Sequence, residues 1–146
     1  MFKIMGLDVG DKTIGVAISD PLLYTAQGRT TIMRESIKKD IDQVIDFIVS
    51  DNIKILVVGF PKNMNNTVGP QAEKTLDFVK KLQKKIKYSE RIEDRDIEVV
   101  MWDERLTSVA AERSMIEADL SRAKRKKIID KMAAVYILQG YLDSRR

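Results

Sequence analysis

Residues 1–19, MFKIMGLDVGDKTIGVAIS, read as two strands and a turn around which the rest of the chain is arranged. Positions 1–9 are apolar without a 3.6-residue period, which marks a buried strand. Gly10-Asp11-Lys12 supplies turn residues, and Thr13–Ser19 (TIGVAIS) is rich in β-branched side chains, so the two runs predict a hairpin. Arg29–Met33 follows as a third short strand. One residue breaks the first apolar run: Asp8, between Leu7 and Val9.

Beyond the third strand the pattern changes. Ile37, Ile41, Val44, Ile45 and Ile48 fall at helical spacing, with Ser36 as N-cap and Asn52 near the stop. Ile55–Gly59 (ILVVG) suits a strand buried on both faces. A loop over 60–68 ends at Gly69-Pro70, a helix start. That helix turns Ala72, Leu76, Val79, Leu82 and Ile86 inward, with Lys80, Lys81, Lys84, Lys85 and Lys87 outward or at its flank. A charged connection over 88–96 leads to a strand over Ile97–Trp102. Thr107 or Ser108 caps a third helix running to about Ala118. Asp119–Lys127 is a polar, basic connection, and KKIIDKMAAVYILQGYLD forms the final helix. The order β-β-β-α-β-α-β-α-α predicts an α/β sheet covered by helices.

Composition narrows the chemistry. A length of 146 residues suits one compact domain, and 44% hydrophobic residues are enough for a core and too many for a disordered chain. No apolar run approaches the roughly 18 residues of a membrane span. The N-terminus enters structured sequence without a leader pattern, so a cytoplasmic protein is expected. The absence of cysteine excludes disulfides and thiolate zinc sites and fits a reducing compartment. The absence of histidine excludes histidine-based triads, HExxH zinc sites and imidazole bases. Hydrolysis would then rest on carboxylates, lysines, hydroxyls and a metal. Charge is uneven: residues 1–73 hold 8 basic and 9 acidic side chains, residues 74–146 hold 18 and 13. A basic second half fits a polyanion such as nucleic acid, and equally a solvated lysine surface.

Three acidic positions stand where burial is expected. Asp8 interrupts the first strand, Asp103 and Glu104 end the last, and Asp130 shares a helix face with Ala133, Ala134, Ile137 and Tyr141. A carboxylate taken from water needs a compensating partner. Carboxylates converging at strand ends repel one another, and Mg²⁺ or Mn²⁺, which prefer oxygen ligands, would relieve that cost. Two such ions roughly 4 Å apart can activate water and stabilise the leaving oxygen of a phosphodiester without any histidine. Structural alternatives stand beside each reading. Asp8 can bond the backbone of Gly10 or Asp11; Asp103 or Glu104 can pair with Arg105 or cap a helix; Asp130 can be a first-turn acid. Strand alternation lets at most one of Asp103 and Glu104 share Asp8's side. Lys12, the 59–66 loop and the run Arg122-Lys124-Arg125-Lys126-Lys127 fit phosphate contacts or plain solvated surface.

Four blocks together resemble a known family. GLDVGDKTIGVAISD, VVGFPKNMNNTVGPQA, DERLTSVAAER and IIDKMAAVYILQGYLD, in that order and spacing, are similar to the YqgF/RuvX family over nearly the whole chain. Its members are described as pre-16S rRNA nucleases and as Holliday-junction-resolvase-like. The resemblance implies one RNase H-like domain over 1–146, with a mixed five-stranded sheet flanked by helices. It places the family's acidic, metal-binding triad on Asp8, Glu104 and Asp130, choosing Glu104 over Asp103. It implies a hydrolase of phosphodiester bonds that uses Mg²⁺ or Mn²⁺ and a metal-activated water, maturing the 5′ end of small-subunit rRNA. Lys12, Lys62 and Arg105 are the phosphate contacts expected of such an enzyme. Expected partners are precursor rRNA, structured DNA or a ribosomal particle, with no membrane, and the chain is a monomer or homodimer. The loop FPKNMNNTVG departs from the LP and Gly-Ser pattern of relatives. The acid that other RNase H-like nucleases carry after the fourth strand is here supplied by the fifth. Three other readings compete: a resolvase of four-way DNA, a non-catalytic RNA-binding assembly factor, and a sugar-kinase or actin-like nucleotide binder, for which the chain is about half the required length.

Overall fold

The computed structural model describes residues 1–61, 68–92, 96–103 and 122–146, the last segment with side chains from 132 onward. Eight elements follow in the order β1 (Lys3–Val9), β2 (Thr13–Ser19), β3 (Ala26–Met33), α1 (Ile37–Ser50), β4 (Ile53–Phe60), α2 (Pro70–Tyr88), β5 (Glu98–Asp103) and α3 (Arg122–Ser144). The expected helix over 107–118 lies outside the described residues.

The strands form one sheet in the order β3-β2-β1-β4-β5. β1, β2 and β3 are antiparallel neighbours, whereas β1–β4 and β4–β5 are parallel. The parallel joins require long crossovers, and α1 and α2 are those crossovers. β1 and β4, at the centre, are buried on both faces, which is why neither shows a polar alternation.

Strand alternation divides the core into two layers. Met5, Leu7, Val9, Ile14, Val16, Leu56 and Val58 pack with Ile41, Val44, Ile45, Phe78, Val79 and Leu82 of α1 and α2. Ile4, Ala17, Ile55 and Val57 pack on the other side with Ala134, Ile137, Leu138 and Leu142 of α3. Gly6 allows this second layer to close: a Cβ there would lie 2.8 Å from Leu138 Cβ and 3.1 Å from the Ala134 carbonyl oxygen.

Several boundaries differ from the sequence expectation, β4 running Ile53–Phe60 rather than Ile55–Gly59. β3 begins at Ala26 rather than Arg29, because the Asp20 carboxylate accepts the amides of Leu22, Tyr24 and Thr25 and returns the chain into register early. β5 covers Glu98–Asp103, one residue later than Ile97–Trp102. α3 starts at Arg122 and takes in the basic run expected to precede it. Lys and Arg are good helix formers, so a helix can extend into solvent with no apolar period to announce it. α1 keeps to its expected ends. Ser36 Oγ accepts from the Lys39 amide at 3.2 Å, and Asn52, at φ 52°, turns the chain out of the helix.

Candidate nuclease site on the third-helix face of the sheet

Asp8 stands one residue from the end of β1, half-buried, on the face that α3 covers. Its parity is that of Ile4 and Gly6, opposite to Met5, Leu7 and Val9. The β2 residue paired with it is Gly15, so no side chain from that neighbour covers the carboxylate. Across the sheet, Val100 and Trp102 of β5 face the same helix, and Trp102 packs on Gly140, where a Cβ would be 3.1 Å from its ring. Asp103 falls in phase with Met101, which packs against the opposite layer. The alternation therefore separates Asp103 from Asp8.

α3 lies along this face in a definite direction. Gln139 bonds the Ala26 amide at 2.8 Å, at the end of the sheet where β1 begins, whereas Ala134 and Leu138 sit over Gly6. Earlier residues of α3 thus lie toward the Asp8 end of β1.

The turn that follows Asp8 is held on every side. Arg34 donates through Nη1 to the Gly10 carbonyl at 2.8 Å and through its backbone amide to the Lys12 carbonyl at 3.0 Å. Gln71 Nε2 reaches the Val9 carbonyl at 3.2 Å, and Lys74 pairs with Asp11 at 3.1 Å. Arg34 is itself fixed by a 2.9 Å ion pair with the fully buried Asp40, and its guanidinium stacks 5.4 Å from the Phe78 ring centroid. The sequence reading missed Arg34, Asp40, Gln71 and Lys74. An arginine after an exposed Met33 and an acid in a first helical turn carry no periodic signal.

The predicted residues are thus placed unequally. Asp8 is on the α3 face, and Lys12 is exposed in the braced turn. Asp130 belongs to α3, with its side chain outside the described residues; Lys62, Glu104 and Arg105 also lie outside them. Among the described residues no three acidic side chains gather closely enough to hold a metal. A groove of about 690 Å³, lined by Asp11, Arg34, Lys74 and Phe78 among others, opens beside the turn on the α1–α2 side. It lies across the sheet from Asp8, and a phosphodiester bound there would not meet that carboxylate.

A family model described as RuvX, Holliday junction resolvase, matches residues 2–144. The chain belongs to the RuvX family. It is 56% identical over 142 residues to a Clostridium novyi protein named "Putative pre-16S rRNA nuclease", covering 97% of this chain and 98% of that one. A Clostridium tetani protein of the same name is 57% identical, covering 97% and 96%. Among solved structures, Thermus thermophilus RuvC bound to a Holliday junction substrate matches with a TM-score of 0.60 at 13% identity, covering 99% of this chain and 96% of that one. The fowlpox virus Holliday junction resolvase matches with a TM-score of 0.53 at 16% identity, covering 98% and 99%. The fold of this RuvX family member is therefore that of the RuvC-like, RNase H-fold resolvases. It is a nuclease, a hydrolase of phosphodiester bonds whose substrate is nucleic acid.

Proposed function

We propose that the chain is a divalent-metal-dependent endonuclease that matures the 5′ end of precursor 16S rRNA in the bacterial cytoplasm, with Asp8, Glu104 and Asp130 as its carboxylates. The observation that carries this reading is Asp8 itself: a half-buried carboxylate at the outgoing end of a central strand, on the face that α3 covers. Strand alternation through Val100 and Trp102 favours Glu104 over Asp103 as its companion. The helical period through Ala133, Ala134 and Ile137, all buried, supports the choice of Asp130 as the third.

An all-oxygen donor set of this kind fits Mg²⁺ or Mn²⁺, which agrees with a fold that generally works with divalent metal. Such an ion, when bound, supplies an activated water and stabilises the leaving oxygen of the cut phosphodiester. The protein's own contribution is position. The braced turn fixes the end of β1, so Asp8 meets the substrate with little reorganisation. Lys12, exposed on that turn, is proposed to take a phosphate, as are Lys62 and Arg105.

The test is cleavage of an end-labelled precursor rRNA fragment with Mg²⁺, with Mn²⁺ and with EDTA, comparing wild type with Asp8→Asn. Metal-dependent cutting that disappears in Asp8→Asn, with an unchanged melting temperature, is the expected result. RNA binding without cutting, equal in both proteins, would instead favour a non-catalytic assembly factor. The likeness to junction-bound RuvC supports a second reading, resolution of four-way DNA. A junction substrate in the same assay decides between them: symmetric cutting of the junction with intact rRNA would overturn the rRNA reading.

A further inference from the structure

The nuclease site leaves unused the second half of α2. Residues 78–88, FVKKLQKKIKY, hold five lysines and no acid. Phe78, Val79, Leu82 and Ile86 are buried against the sheet, whereas Lys80, Lys81, Lys84, Lys85 and Lys87 are exposed. Of these charges, Lys81 is answered from the helix's acidic half, pairing with Asp77 at 2.9 Å. Lys80, Lys84 and Lys85 form no ion pair among the described residues. Lys80 and Lys84 repel one another at i, i+4 spacing. Placing cations at the helix C-terminus accounts for Lys85 and Lys87 but not for Lys80 and Lys84. At the end of this row Tyr88 is 66% exposed, with the Lys87 ammonium 5.5 Å from its ring centroid.

We propose that this lysine row and Tyr88 bind a single-stranded segment of the nucleic-acid substrate, the lysines taking phosphates and the Tyr88 ring stacking on a base. Clustered cations beside an exposed aromatic ring are what single-stranded nucleic acid requires, since every base has a π-face and every linkage a charge. The placement gives the contact a purpose. α2 starts at the braced turn, where Gln71 and Lys74 touch Val9 and Asp11. At 1.5 Å per residue, Lys80 to Tyr88 lie about 14–26 Å further along the helix axis from Gln71. The row would therefore hold an unpaired tail of the substrate away from the bond being cut. The inference rests on the reading of the chain as an enzyme of nucleic acid.

The experiment measures fluorescence-anisotropy binding of a labelled, mixed-sequence single-stranded oligoribonucleotide across a salt series. The proteins are full-length Asp8→Asn, the same chain with Lys80→Ala, Lys84→Ala and Lys85→Ala together, and the same chain with Tyr88→Ala. Loss of three phosphate contacts should lower the slope of log affinity against log salt by about 2. Tyr88→Ala should weaken binding about tenfold with the slope unchanged, and should not affect a duplex of the same length. Equal slopes and affinities in all three proteins would overturn the proposal. A wild-type chain that cuts RNA while the lysine variants bind normally sinks the surface and leaves the nuclease standing. Loss of binding in the variants of a chain that never cuts does the reverse.

Discussion

Asp20 lies at the surface, yet its carboxylate gathers the Thr25 amide at 2.7 Å, the Tyr24 amide at 2.8 Å and the Leu22 amide at 3.1 Å. The backbone bond from Thr25, helped by those from Tyr24 and Leu22, holds its pKa below the ordinary 3.8, against a smaller opposing effect of burial. A depressed native pKa means stability that is present above the unfolded value and lost as pH falls through the native one. Wild type should therefore have a higher urea midpoint than Asp20→Asn near neutral pH, and the two should converge as pH falls through the depressed native pKa. Gly6 presents the opposite case, a residue whose value is what it lacks. Gly6→Ala sets a Cβ 2.8 Å from Leu138 Cβ, an atom that even Leu138→Ala would retain. The expected cost is about 1–3 kcal/mol, read as a lower melting temperature. Cleavage should fall further than stability, because α3 must shift over the face that carries Asp8. Asp8 was legible in the sequence because a charge inside an apolar run is an anomaly that burial must explain. Gly6 was not, since a glycine in a strand announces no particular neighbour.

Elements were read where apolar spacing marks them and misread where solvent does. α1 shows five isoleucines and valines at helical period and a serine cap, and both ends agree with the structure. The start of α3, Arg122 to Lys127, holds five basic residues and Ala123 with no apolar period, so the sequence signalled a helix from Lys126, four residues later than it forms. β3 is an edge strand, and its register slips between Val16 and Ala17 of β2, leaving Arg29 as the extra residue. That bulge sends Arg29 over the Phe47 ring at 5.6 Å and toward Asp51 at 4.0 Å, bending an edge that would otherwise template another strand. The link between α1 and the β1–β2 turn is the buried Arg34–Asp40 pair, whose side chains are 18% and 1% exposed. Asp40→Ala strands a cation that is mostly out of water and should cost about 3 kcal/mol or more in chemical denaturation. It also frees the guanidinium that holds the Gly10 carbonyl. Cleavage by the folded fraction should therefore drop in Asp40→Ala, whereas Asp40→Asn, which can still accept from Arg34, should recover part of it.

At the scale of the molecule, the sequence conveyed the order of the described elements and a sheet covered by helices, but not how the strands are dealt out in the sheet. Local spacing says that β1 and β2 form a hairpin. It does not say that β4 crosses to the other side of β1, a pairing between residues about fifty positions apart. That arrangement comes from burial: β1, β2 and β4, the strands buried on both faces, take the inner places and leave β3 and β5 at the rims. Removing the far side of the core tests which layer matters to the site. Leu138→Ala should cost about 2–5 kcal/mol and lower cleavage, because it loosens the helix that covers Asp8. Val44→Ala, in the opposite layer, should cost stability with little loss of rate in the folded protein, since α1 does not touch the Asp8 face. The order in which these layers are made has a consequence in time. A ribosome releases β1 through α2 first, and these can close their own side of the sheet. The helix that covers Asp8 is the last of the described elements to emerge. A nascent or prematurely terminated chain would hold its strands and lack α3, leaving the apolar face around Ile4, Ile55 and Val57 open to water.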